Sequence, residues 1–207
     1  MWKPAILMTL AWTLTGAVVI DRIAVVVNRH AIKASDVDRD VRVTTFLNNE
    51  PAKLESASRK NAADRLIDQE IIRNELSSGG YRRASDKDAD ALLSNIRRDR
   101  FGGSEARLQQ NLSRYGLNEE TLRAQLIWQL TVLTFIDQRF RPSVLVTDED
   151  VRGYYDQHRA NFQKPFESES DSIRKTLEGE QVNQQFETWL AAARKRAVIQ
   201  FREEAFE

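Results

Sequence analysis

The chain has 207 residues and contains no cysteine. Without thiols it cannot form disulfide bonds, zinc–thiolate sites or a cysteine nucleophile, and a lipid anchor built on cysteine is not expected. Histidine is also scarce, since His30 and His158 are the only two and neither has a partner at metal-ligand spacing. Residue counts leave a Ser-His-Asp site open, but no G-x-S-x-G sequence is present. The sequence therefore predicts no metal, no cofactor and no catalytic residues.

Glycine and proline number only 8 and 4, which favours helices over a turn-rich β fold. Neither sign of charge is in excess, because 31 Lys and Arg residues balance 31 Asp and Glu residues. A zero net charge offers no electrostatic reason to bind nucleic acid, and we predict no such partner. Arg97, Arg98 and Arg100 form a local basic cluster, which we interpret as a solvated helix face.

The N-terminal segment has the features of an export signal. Lys3 provides a short basic start, an uncharged run follows, and Thr15 and Ala17 suit the last positions before a cleavage site. We predict a signal peptide at residues 1–17, a periplasmic location and no stable membrane span after signal removal. The alternative is an uncleaved inner-membrane anchor, for which the apolar run ending at Ile20 is marginally long enough.

Three segments have the composition of strands: residues 20–28, 30–34 and 197–202. The first two predict a hairpin with a tight turn at Asn28 and Arg29, because Asn tolerates a left-handed backbone. A hairpin of this size needs another element to cover it, and the third strand lies at the far end of the chain. We therefore predict a mostly α protein, with a helical bundle-like body and a small β-sheet formed by the N-terminal hairpin and the C-terminal strand.

Helix start signals divide the rest of the chain. Residues expected to cap helices share a side-chain oxygen and precede a periodic apolar stretch; they are Ser35, Ser85, Ser104, Asn118 and Thr147. The helix after Asn118 is apolar nearly all round between residues 126 and 136, which predicts a place in the middle of the bundle. Residues 161–170 are polar and contain a proline, so we expect a linker there and a last helix from about Asp171 to Arg196.

Several of these segments, taken in order, resemble the SurA-type family of periplasmic chaperones. The matching stretches are spread over nearly all of the chain after the signal: VIDRIAVVVNRHAIKASDV (residues 19–37), ADRLIDQEII (63–72), YGLNEETLRAQLIWQL (115–130), VTDEDVRGYYDQHRANF (146–162) and TWLAAARKRAVIQF (188–201). These are packing patterns, and their order and spacing carry the resemblance.

The resemblance implies a division of the chain. Residues 18–160 correspond to the N-terminal helical chaperone domain, and residues 171–207 to a C-terminal helix and strand that pack back on it. In that family one or two parvulin-type prolyl isomerase domains usually separate these parts. Here residues 161–170 stand in their place, and a parvulin domain needs far more chain. The resemblance therefore implies peptide binding without isomerase activity.

We thus expect an ATP-independent holding chaperone for unfolded polypeptides, outer-membrane proteins in particular, that binds them in an apolar groove. No glycine-rich nucleotide-binding loop is present. The alternatives are a foldase related to peptidyl-prolyl isomerases, and a structural assembly partner of one envelope protein. The protein is expected to be a monomer or a strand-swapped dimer. Candidate groove residues are aromatic, with core packing as their alternative role: Trp128, Phe135, Phe140, Tyr154, Tyr155 and Trp189.

Overall fold

A computed structural model describes residues 21–206 of the chain. The predicted signal peptide at residues 1–17 lies outside the described residues. Three strands are present in the described part: β1 (Ile23–Val27), β2 (His30–Lys33) and β3 (Ile199–Phe201). It also contains seven α-helices: α1 (Ala34–Asn48), α2 (Ser56–Ser78), α3 (Asp86–Phe101), α4 (Glu105–Arg114), α5 (Glu119–Phe140), α6 (Asp148–Gln157) and α7 (Phe166–Arg196). The predicted fold class, mostly α with a small sheet, is confirmed.

The sheet joins the N-terminal hairpin to the strand near the C-terminus. Its strand order is β2-β1-β3, and β1 pairs antiparallel with both neighbours. Asn28 occupies the hairpin turn with a φ of 56°, as the sequence predicted. In the other pair Val26 lies opposite Gln200, and the backbone N–H of Asn28 donates to the carbonyl of Val198 at 2.7 Å. The N-terminal hairpin and the C-terminal strand therefore form one sheet.

The alternation predicted along β1 is interrupted. Strict alternation would place Ile23 on the same face as Val25 and Val27, but the register of the β1–β2 pair shifts between Ile23 and Val25. Ala24 and Val25 are both buried as a result, while Ile23 is exposed. An irregularity of this kind places two successive side chains on one face, which a strict period of two cannot anticipate.

Aliphatic side chains fill the core beneath the sheet. They come from β1, β2, α1 and α2, and the chain end contributes Phe206, which is fully buried. The last turns of α7 cover the same core through Trp189, Leu190 and Ala193. An ion pair between Arg194 Nη1 and Asp68 Oδ1, at 2.8 Å, also links α7 to α2.

Four of the five predicted helix caps are confirmed. The side chains of Ser85, Ser104, Asn118 and Thr147 each accept a hydrogen bond from a backbone N–H of the helix that follows. Ser35 is the exception, because α1 begins at Ala34. Its backbone N–H and hydroxyl both donate to the carboxylate of Asp21 instead.

Two predictions about the helices are corrected, one on the surroundings of α5 and one on the start of α7. Helix α5 is not enclosed on all sides, since Leu133 keeps 62% of its surface exposed. Helix α7 begins at Phe166, earlier than the predicted Asp171, so part of the expected linker is helical. Pro165 precedes that first turn, and the Arg152 guanidinium lies 3.6 Å from the centre of the Phe166 ring. The early start brings Phe166 into a small aromatic cluster with Tyr155 and Phe162.

Candidate functional site

A groove of about 570 Å³ lies between β2, α1, α2 and the N-terminal half of α5. We call it the β2–α5 groove. Its apolar lining residues are Ala31, Ile32, Val43, Leu66, Ala124 and Trp128. Its polar lining residues are His30, Asp36, Arg39, Asp40, Gln69, Glu70, Arg73, Glu120, Thr121 and Gln125. The size suits a short polypeptide segment or a small ligand.

One stripe of α5 forms a wall of the groove. Thr121, Ala124, Gln125 and Trp128 follow the spacing i, i+3, i+4 and i+7, so they lie on one face of the helix. Asn118 fixes the start of this stripe, because its side-chain oxygen accepts a hydrogen bond from the backbone N–H of Thr121 at 2.8 Å. The wall thus offers one aromatic surface and side-chain amide and hydroxyl groups.

The opposite wall is a strand edge. In the two-residue hairpin His30 forms the hydrogen-bonded pair with Val27, and pairs of this type alternate along the strands. The intervening residue, Ala31, therefore directs its backbone N–H and C=O away from β1. Since β2 is an edge strand and Ala31 is exposed, these two groups face solvent at the groove. They are suited to bonding an extended backbone.

Glu70 is a nearly buried carboxylate in the groove lining. It retains 7% of its surface. Its Oε1 accepts from Asn74 Nδ2 at 3.2 Å and lies 3.3 Å from His30 Nδ1. Within the described residues the Glu70 contacts are made through Oε1, and Oε2 makes no hydrogen bond. This oxygen can accept from an amide or ammonium group of a ligand.

A second carboxylate, Asp40, is 8% exposed and also borders the groove. Burial raises the pKa of the Asp40 carboxyl above its usual range, and the Arg65 guanidinium lowers it only in part. Arg65 Nε donates to Asp40 Oδ2 at 2.9 Å. Asp40 is therefore already paired with an arginine, whereas the partners of the Glu70 carboxylate among the described residues are His30 and Asn74.

Trp128 lies where the groove meets the core between α2, α5 and α7. It is half-buried, and the guanidinium carbon of Arg73 lies 4.6 Å from its ring centre. One ring face is thus covered by a cation, a contact typical of partly solvated sites. Ten of the sixteen residues that line this groove are polar or charged, and the expectation of an apolar groove lined by several aromatic residues stays a prediction.

The six predicted groove residues lie in three different places. Only Trp128 borders the β2–α5 groove. Phe135 and Phe140 are buried in the aromatic core, and Trp189 packs against them half-buried. Tyr155 is buried in the small cluster of α6, and Tyr154 is half-buried beside it. For Phe135, Phe140 and Tyr155 this placement corresponds to the core-packing alternative, because a buried ring cannot contact a partner.

The groove residues that sequence reasoning missed are polar. Glu70 stands between Ile67 and Ile71 in the buried stripe of α2, and Asp40 precedes Val41 in that of α1. A charged residue within an apolar stripe could have identified both positions in the sequence, since charged residues are rarely buried without a partner or a role. The strand edge at Ala31 had no signal in the sequence.

The two histidines do not form a metal site. His30 contacts Glu70 as described, and His158 lies at the end of α6 with Nδ1 2.9 Å from the carbonyl oxygen of Tyr154. Across residues 21–206, no group of three or more potential ligands is placed to hold a metal ion. None of the helices in the same range is long and apolar enough to cross a membrane.

No family model matches the sequence, and no curated protein matches it significantly.

Proposed function

We propose that this protein is an ATP-independent holding chaperone of the SurA type that binds segments of non-native polypeptides in the β2–α5 groove. The observation that carries the proposal is the groove itself, which combines an exposed strand edge, side-chain amides and one aromatic ring. A backbone that has lost its own partners can bond to the edge at Ala31 and to Gln69 and Gln125. These hydrogen bonds are made to the main chain of the client and not to its side chains, so they suit clients of varied sequence.

The mixed lining also suits reversible holding. Trp128 offers apolar contact area, and burial contributes about 25 cal/mol per Å² of apolar surface before the ordering cost is subtracted. The polar remainder of the groove contributes hydrogen bonds, which replace bonds to water and add little net affinity each. We therefore expect weak binding, in the micromolar range or above, and release without nucleotide hydrolysis.

The resemblance to the SurA-type family supports the same class of function, with a location in the periplasm and outer-membrane proteins as clients. The short connection between α6 and α7 argues against an isomerase. It spans residues 158–165, which contain one turn of 3-10 helix and leave no room for a parvulin domain.

Suppression of aggregation tests the proposal. Purified protein is mixed at near-equimolar ratio with several chemically unfolded clients, and light scattering is followed after dilution. We expect slower aggregation with most clients. Absence of suppression with all of them would contradict the proposal.

A matched pair of variants assigns the activity to the groove. Ala124→Arg places a long side chain in the groove from an exposed helix position, and Ala91→Arg makes the same change on α3 outside it. We expect Ala124→Arg to lose most of the suppression and Ala91→Arg to keep it, with both variants folded by circular dichroism. Equal suppression by the two would place client binding elsewhere.

Two further assays separate the alternative functions. Acceleration of a proline-limited refolding reaction would favour an isomerase-related foldase. Recovery of one stoichiometric envelope protein from crosslinked cells, together with no affinity for unfolded chains, would favour a structural assembly partner.

A further inference from the structure

A second pocket, of about 590 Å³, lies on α4 and is separate from the β2–α5 groove. Four polar residues of α4 line it at the spacing i, i+3, i+4 and i+7: Arg107, Gln110, Asn111 and Arg114. Another side of α4 packs into the core, since Leu108 and Leu112 are buried. The helix thus presents one continuous polar stripe with an arginine at each end. We call it the α4 pocket.

The tight turn between α3 and α4 brings a third arginine to this stripe. Gly102 and Gly103 have φ values of 60° and 77°, a backbone conformation that glycine adopts without strain. The chain reverses there, so Arg100 at the end of α3 borders the same pocket. Its Nη2 donates to the carbonyl of Phe46 at 2.9 Å, and this bond holds the guanidinium in place.

The other two arginines are available for a ligand. Arg107 and Arg114 are exposed, and within residues 21–206 neither guanidinium has a hydrogen bond or an ion pair. The remaining lining residues are Asn49 and Phe101, so none of the residues lining the α4 pocket carries a negative charge. In a chain with zero net charge, where many arginines are paired with carboxylates, this is a locally uncompensated cationic site.

The geometry favours an extended anion over a compact one. Arg107 and Arg114 are seven positions apart on the α-helix, which is a rise of about 10 Å along its axis. A single phosphate is much shorter than this distance, whereas about three residues of extended polypeptide span it. Guanidinium groups bind carboxylates with two parallel hydrogen bonds, and the amides of Gln110 and Asn111 can bond the backbone between them.

We infer that the α4 pocket binds an acidic segment of a partner polypeptide, with Arg107 and Arg114 contacting two of its carboxylates and Arg100 adding positive charge. The site is distinct from the β2–α5 groove and selects by charge, whereas the groove reads mainly the backbone. A client or partner with an acidic stretch would then engage the protein at two places.

Fluorescence anisotropy with a labelled hexapeptide of Asp and Glu tests this inference on the full chain. We expect binding that weakens with added salt, and no binding of the matching Asn and Gln peptide. The variant Arg107→Gln with Arg114→Gln should weaken binding about tenfold, as the loss of two exposed charge pairs of ordinary strength would predict. Failure of the unaltered protein to bind the acidic peptide would overturn the inference.

Arg82→Gln with Arg83→Gln is the matched control, because it removes two other exposed arginines and changes the net charge equally. We expect its affinity to stay within about twofold of the unaltered protein, well short of the effect of losing two charge pairs. An equal loss in both double variants would mean that the peptide responds only to net charge, which overturns the assignment to the α4 pocket.

Two further measurements identify the class of anion that binds and the site at which it binds. Pyrophosphate or a short single-stranded DNA that binds as tightly as the acidic peptide would overturn the choice of a polypeptide. The groove variant Ala124→Arg should bind the acidic peptide as well as the unaltered protein does. Loss of binding in that variant would instead place the peptide in the β2–α5 groove, and this outcome is separate from the aggregation assay.

Discussion

The two halves of α5 use the same helical face for opposite purposes. In the N-terminal half, Thr121, Ala124 and Gln125 line the open groove, and Trp128 stands at its inner end. One further repeat along the helix is Phe135, which is completely buried. Both halves face α2, and the buried residues Phe135 and Phe140 of the second half pack in one core with α7. The difference between the two halves shows that helical periodicity identifies which residues share a face. Polar side chains on that face indicate an open stretch, and aromatic side chains indicate a stretch that another element covers.

The covered half is an aromatic core. The ring of Phe135 lies 4.9 Å from that of Tyr81, 5.4 Å from that of Trp189 and 6.0 Å from that of Phe140, all in edge or tilted arrangements. Such geometries add to the stabilisation from burial alone. In the open half a single ring, Trp128, meets a guanidinium and solvent. This contrast between a covered and an open half can be tested by substitutions, from the largest expected effect to the smallest.

The largest effect is expected at Phe135. Phe135→Ala should lower the free energy of unfolding by about 3–5 kcal/mol, because a fully buried ring is lost and a cavity remains. Urea denaturation followed by circular dichroism measures the change. Phe135→Leu should cost under about 1.5 kcal/mol, since most of the volume is kept, and this variant should hold clients normally. A folded Phe135→Leu protein with no holding activity would place client binding in the aromatic core.

Trp128→Ala should have a smaller effect on stability and a larger one on function. We expect a loss of about 1–2 kcal/mol, because the ring is only half-buried and its contact with Arg73 is partly solvated. Aggregation suppression should fall substantially. Leu133→Ala, at an exposed position of the same helix, is the control and should stay within about 0.5 kcal/mol of the unaltered protein. If Trp128→Ala destabilises as much as Phe135→Ala, the distinction between the two halves fails.

Asn118→Ala should loosen the open half alone. Loss of this cap removes the acceptor for the backbone N–H of Thr121 and should cost about 1 kcal/mol. Hydrogen exchange measured by mass spectrometry should show faster exchange in the first turns of α5 and unchanged protection around Phe135. Uniform loss of protection along α5 would show that the two halves unfold as one unit.

The smallest effect is a dependence on pH at the groove. Burial raises the folded-state pKa of Asp40 above its ordinary value of 3.8, so the folded protein holds this proton more tightly than the unfolded chain does. The contribution of Asp40 to stability is therefore full below the unfolded pKa and is lost as the pH rises through the folded pKa. Asp40→Asn removes this loss.

Thermal unfolding of Asp40→Asn and of the unaltered protein between about pH 3 and pH 7 measures the effect. The difference in stability should shift in favour of the variant as the pH rises. The matching difference for Phe135→Leu in the aromatic core should stay constant over the same range. A difference for Asp40→Asn that is also constant would mean that Arg65 fully compensates the buried carboxylate.

Much of the fold could be predicted because its determinants are local. A capping side chain at Ser85 or Thr147 and an acid three residues later define a helix start within a few residues of chain. Asn28 defines the hairpin turn by its tolerance of positive φ. The pairing of β1 with β3 was also predictable, since the hairpin required a partner strand and the chain offered one.

The candidate site was less predictable because it depends on what lies next to each residue. By their spacing, the six aromatic residues fitted both a binding role and a core role. Only the position of α7 placed Phe135 and Phe140 in the core and left Trp128 at an opening. Ser35 was a plausible cap by its type, but Asp21, which is distant in sequence, accepts its hydrogen bonds.

The sequence by itself determined the helical class, most helix starts, the hairpin and the meeting of the two strand-forming ends, because these follow from short-range hydrogen bonding and the periodicity of apolar residues. Only the tertiary structure decided that one stretch of α5 is open and polar and the next closed and aromatic, and that the α4 stripe shares its pocket with Arg100. Those outcomes depend on which elements approach each other in space. The spacing of residues along one helix does not reveal which other elements pack against that helix.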